Sequence, residues 1–163
     1  MGYFYFYKEE NIRSLTHKEI TEIEIGVANL ANRNLPWEFV SDLYGLQFCE
    51  DKGMNLDNGV MGATKFFSNR IMLSPDIVKQ LCWKSVSGVP NNEVAISIII
   101  HELTHRRQMK WMRGLAWPIL NIPVLSSLTI ERWARQNEKA AVDILSQIYY
   151  DIDMDIALPL AHE

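Results

Sequence analysis

A chain of 163 residues, 48% hydrophobic and 22% charged, carries enough apolar material for one packed domain and leaves little room for a second. That balance excludes a disordered chain. The net charge of −4, with Lys and Arg not gathered into long blocks, gives no electrostatic footprint for nucleic acid.

In chain order, the aromatic run at residues 3–7 favours a strand, and the start lacks the basic end and aliphatic run of a secretion leader. Thr16 and Glu19 stand at capping-box spacing, and Ile20, Ile23, Val27 and Leu30 follow at helical intervals. A helix is therefore predicted that stops near Asn34, ahead of Pro36. A short helix over 36–43 and a strand over 46–50 come next, then a turn rich in Gly, Asn and Asp over 51–59. Residues 60–67 and 70–73 form a predicted strand pair joined through Ser68 and Asn69. Ser74 caps a short helix with Pro75 at its first position.

After a break at 88–92, a long helix is predicted over 93–113, with Asn91 or Asn92 to cap it and Gly114 to end it. The basic group Arg106, Arg107, Lys110 and Arg113 reads as its solvated end. Residues 115–126 are apolar but interrupted by Pro118 and Pro123. The apolar stretch at 115–128 is too short to span a bilayer and serves as either a packed connection or a lid or wall over the site. A second long helix is predicted over 128–150. Asp151, Asp153 and Asp155 alternate with apolar residues and read as a short exposed strand or extended tail. Calcium is rejected because Ile156 and His162 stand where its loop needs Gly and Glu. Strands early and long helices late point to an α+β domain. Cys49 and Cys82 have no paired spacing, which fits a reducing, cytoplasmic setting, and nothing requires stable membrane insertion.

Chemistry enters with His101-Glu102-Leu103-Thr104-His105. Residues four apart lie one turn above each other on one helix face, so both imidazoles can reach one zinc ion. Glu102 points to one side of that stripe, where a general base can serve a zinc-activated water. The apolar run at 94–100 would bury the helix and hold the histidines in place.

A catalytic zinc site takes a third protein ligand. Glu131 and Glu138 are seven apart on the last helix, share a face, and are each followed three residues later by an alanine. Glu131 is explained by the preference for acidic residues in a first helical turn. Glu138 lies mid-helix, where that explanation fails, and is taken as the third ligand ahead of Glu131, which stays the alternative. His162 is a more distant choice.

The motif resembles that of the zincin metallopeptidases, within them the gluzincin branch, and its five residues are identical to those of the thermolysin family. The longer His101-Glu-Leu-Thr-His-Arg-Arg-Gln108 is similar to the H-E-L-x-H-x-x-Q form of small bacterial and phage-encoded metallopeptidases. In those, a Gly-x-Thr stretch and an edge strand precede the active-site helix, as Gly62-Ala63-Thr64 and Arg70 to Ser74 do here. The resemblance implies one minimal zincin-like domain over 1–163, a small antiparallel or mixed sheet packed on the motif helix and a later ligand-bearing helix. It also implies Zn2+ as cofactor, hydrolysis of a peptide or protein substrate with Glu102 as base, and 70–74 as the sheet edge along which that peptide lies. A phage-encoded or particle-associated protein is compatible with it. The thermolysin family has an aspartate four residues after its ligand glutamate, where this chain has Val142, so the partner that orients His101 is unassigned. Tyr149 and Tyr150 are candidates for stabilising the oxyanion, with packing as the plainer role. From a different class, a zinc-binding structural or interaction module without turnover would carry the same ligands.

Overall fold

The computed structural model describes residues 8–54, 61–64, 68–111 and 130–157. The expected strand at 3–7, most of the turn at 51–59, the connection at 115–126 and His162 fall outside them.

The architecture is α+β. After a short 3-10 turn at Glu9–Asn11 come β1 (Ile12–Ser14), α1 (His17–Ala31), α2 (Glu38–Asp42), β2 (Gln47–Asp51), β3 (Gly62–Thr64), β4 (Arg70–Leu73), α3 (Pro75–Leu81), α4 (Glu93–Trp111) and α5 (Arg132–Ala157). The four strands form one mixed sheet in the order β1-β2-β4-β3. β1 runs antiparallel to β2, β2 parallel to β4, and β4 antiparallel to β3, with Gly62 opposite Leu73 and Thr64 opposite Ile71. The expected strand pair is present over Gly62–Thr64 and Arg70–Leu73, the rest of 60–67 lying largely outside the described residues, but the expected edge moves. β4 lies inside the sheet, because β2 pairs along its other side, and β3 is an edge strand among the described residues. β1 has no apolar alternation to reveal it. It is held by Arg13, whose guanidinium bonds both Glu19 and Glu50.

The capping box at Thr16 forms as expected: the Thr16 side chain accepts from the Glu19 N–H and the Glu19 carboxylate accepts from the Thr16 N–H. Ser74 caps α3 with Pro75 in the first turn. α4 is the central element. Ala95, Ile96, Ile98, Ile99, Ile100 and Leu103 are all buried, against α1, α3, α5 and β3. A helix covered on every side has apolar residues all round, which is why residues 94–100 also resemble a strand.

Gly26 on α1 lets these two helices meet: a Cβ there would lie 2.7 Å from Ile96 Cγ1, and Ile96 is itself fully buried. Gly26→Val is expected to lose about 1–3 kcal/mol through overpacking, seen as a lower midpoint in urea unfolding. An unchanged midpoint would mean that Ile96 yields freely.

α5 runs seven residues past Tyr150, through the segment expected to be extended. Residues 150–157 are exposed, so their alternation records no buried sheet face. Extending a helix already anchored at Ala141, Leu145 and Tyr149 costs little, and Gln147 bonds Asp151 one turn on. Of the basic group near the end of α4, Lys110 is exposed as expected, Arg106 and Arg107 are half-buried and paired, and Arg113 lies outside the described residues. Arg106 reaches the Ser68 carbonyl and Asn69, while Arg107 and Lys110 reach Asp42. Among the described residues no helix is long and apolar enough to cross a membrane.

Candidate metal centre

His101 and His105 lie one turn apart on the face of α4 that meets α5, the most extensive helix–helix seam among the described residues. The buried run ahead of them fixes the helix, and the fully buried Ala134 and Ala141 let α5 approach. The two rings stand almost perpendicular, at 81°, with Nε2 atoms 2.9 Å apart. Glu131, just ahead of α5, closes the triangle. Its Oε1 is 3.4 Å from His105 Nε2 and its Oε2 is 3.6 Å from His101 Nε2. Zn–N and Zn–O distances of about 2.0–2.1 Å at tetrahedral angles would separate ligand atoms by about 3.3 Å. The Nε2–Nε2 separation of 2.9 Å lies below that value and the two Nε2–carboxylate separations, each to a different Glu131 oxygen, lie at 3.4 and 3.6 Å. His101, His105 and Glu131 together have the composition and spacing of a site that could hold a metal ion.

The opposite ring nitrogens decide which way each imidazole presents its lone pair. His101 Nδ1 is 2.8 Å from Glu138 Oε2. A carboxylate only accepts, so Nδ1 donates. His105 Nδ1 is 3.1 Å from Gln108 Oε1, and Gln108 Nε2 is 3.1 Å from the Ile130 carbonyl. A carbonyl also only accepts, which fixes the amide's orientation: the Gln108 oxygen faces His105, and His105 Nδ1 donates to it. With both Nδ1 atoms carrying protons, both Nε2 atoms can offer lone pairs towards each other and towards Glu131. Three donors so gathered repel unless a cation stands among them. Burial acts to lower the His105 pKa, but hydrogen bonding to Glu131 and the charges of Glu102 and Glu131 outweigh it and hold the pKa above the usual imidazole value. A proton is one cation the cluster favours; a metal ion is another.

Glu102 sits beside this cluster, 7% exposed, against the edge strand. Its Oε2 accepts a 2.7 Å hydrogen bond from Thr64 Oγ1. A Cβ at Gly62 would stand 3.1 Å from Glu102 Cγ and 3.4 Å from its Oε1, so the glycine lets β3 lie close over the carboxylate. Residues 62 and 64 alternate along the strand and so share the face turned to Glu102.

No family model, curated protein or solved structure matches this chain.

Of the residues read from sequence, His101, Glu102 and His105 come together on α4. Glu138 joins them, but not where a third ligand was expected: it binds the far nitrogen of His101, while Glu131 faces the two Nε2 atoms. Seven-residue spacing puts both glutamates on one face, and face-sharing cannot say which edge of an imidazole each one meets. Glu138 thereby supplies the partner of His101 that Val142 could not. Tyr149 is taken up in packing, its hydroxyl donating to buried Asn92, and burial with the nearby Glu93 charge pushes its pKa far up. Tyr150 is exposed. Thr64 and Gln108 went without roles in the sequence, although both lie in stretches singled out there.

Proposed function

We propose that this protein is a zinc-dependent peptide hydrolase of the zincin kind, with His101, His105 and Glu131 as the residues that would hold the metal. The observation that carries the reading is the pair of imidazoles, each anchored through Nδ1, directing Nε2 atoms at one point beside a carboxylate. Two histidines and a glutamate are a donor set of catalytic zinc sites that leave one position open. Glu138 orients His101 through its Nδ1–H, a partner that raises the ligand's basicity.

When bound, zinc supplies Lewis acidity: it makes water a better nucleophile at neutral pH and polarises a carbonyl. Glu102 then does the proton work. It takes a proton from the attacking water as the oxygen–carbon bond forms, and delivers it to the departing amine as the C–N bond breaks. Thr64 holds one carboxylate oxygen and leaves the other for that traffic. The edge strand β3 runs beside Glu102, so an extended peptide pairing with it would bring a backbone carbonyl to the cluster.

Elemental mass spectrometry of protein purified without chelators tests the reading. Near-stoichiometric zinc is expected. A wild-type protein that arrives metal-free and takes up no zinc on titration would sink it.

A further inference from the structure

The seam between α4 and α5 is polar where it flanks the cluster. His101, Thr104 and Gln108 are spaced i, i+3, i+7 and share one face of α4. His101 donates to Glu138, Thr104 accepts from Asn137 Nδ2 at 3.1 Å, and Gln108 donates to the Ile130 carbonyl at 3.1 Å. Of these, Gln108 has the least ordinary position. Only 6% exposed, it has both ends of its amide engaged, one on His105 and one on the backbone just ahead of α5. Burying an amide costs free energy that hydrogen bonds only offset, and an aliphatic side chain would pack here without that cost. Helix packing alone therefore does not explain a glutamine.

The carbonyl it grips belongs to the peptide unit that joins Ile130 to Glu131. One side chain thus touches His105 directly and fixes the backbone from which Glu131 extends. We propose that Gln108 is a positioning residue for the metal centre, aiming His105 Nε2 and setting the distance between two donors that come from different elements. The inference rests on the zinc reading above and deepens it, by naming what keeps the site assembled before metal arrives.

Zinc itself is the probe, in competition with a chromophoric chelator, together with the visible absorption of the Co2+-loaded protein. Gln108→Met keeps length and flexibility but neither hydrogen bond. It should retain the fold, bind zinc about 10–100-fold more weakly, and alter the Co2+ bands. Gln108→Glu restores the acceptor for His105 Nδ1–H but places a carboxylate oxygen against the Ile130 carbonyl, so it should recover part of that loss and not all of it. Wild-type affinity and an unchanged Co2+ spectrum in Gln108→Met would overturn the inference while leaving the zinc site standing. A Gln108→Glu protein as weak as Gln108→Met would overturn the aiming of His105. A wild-type protein without zinc affinity overturns the zinc reading itself, and that is seen before any variant is compared.

Discussion

Glu131→Ala is expected to abolish tight zinc binding, whereas Glu138→Ala should keep zinc and bind it about 10–100-fold more weakly. The two glutamates share a helix face, yet they meet different atoms. Glu131 spans the Nε2 atoms of both histidines at 3.4 and 3.6 Å, and Glu138 meets His101 Nδ1 at 2.8 Å. One imidazole cannot direct both nitrogens at a single ion, because they lie on opposite edges of the ring. The carboxylate on Nδ1 therefore supports and the one facing Nε2 can ligate. Zinc held by about 10–16 kcal/mol over four ligands puts each ligand at roughly 2.5–4 kcal/mol, a loss on the order of 10²- to 10³-fold. Removing Glu138 leaves the ligand in place but frees the ring to rotate. Chelator competition on both purified variants separates the cases. The reverse order, with Glu138→Ala the more damaging, would return the ligand role to Glu138 and require α5 to sit in a different register.

What was legible in the sequence divides along the same line. His101, Glu102 and His105 lie within five residues of one helix, so local geometry alone sets their relation, and the apolar run before them already implied a buried, rigid support. The capping box at Thr16 and the Ser74-Pro75 start of α3 were equally local, and both form. The choice between Glu131 and Glu138 was not local. It depends on how far α5 slides along α4, which the ties from Gln108 to Ile130 and from Asn137 to Thr104 fix between residues more than twenty apart in sequence. The sheet edge behaved likewise. Nothing within residues 70–74 says that β2, arriving in parallel from earlier in the chain, covers the far side of β4 and leaves β3 outermost. The helical end of α5 escaped because its charged and apolar residues alternate with no buried face to impose a period.

Glu102→Gln should leave zinc content unchanged and lower peptide hydrolysis by about 10²–10⁴-fold, the usual contribution of a positioned general base. The substitution changes charge and proton affinity but hardly changes shape. Thr64 can still bond a side-chain oxygen at the same place, and Gly62 leaves the same room over the chain. Stability should move the other way from activity. A carboxylate only 7% exposed gives up much of its hydration, which the bond from Thr64 offsets and, when His105 carries a proton, so does the charge of that ring. A neutral amide gives up less, so at a pH high enough to leave His105 uncharged the metal-free Glu102→Gln protein should melt at or above the wild-type temperature. Residues that cost stability where they stand are the mark of a site shaped for chemistry. The measurement pairs zinc content with cleavage of labelled casein by wild type and variant at equal metal loading. Equal turnover by the two would remove Glu102 from the mechanism. A wild-type protein that holds zinc yet cleaves neither casein nor a broad peptide library would point to a zinc-stabilised binding module, with Glu102 kept for some contact other than proton transfer.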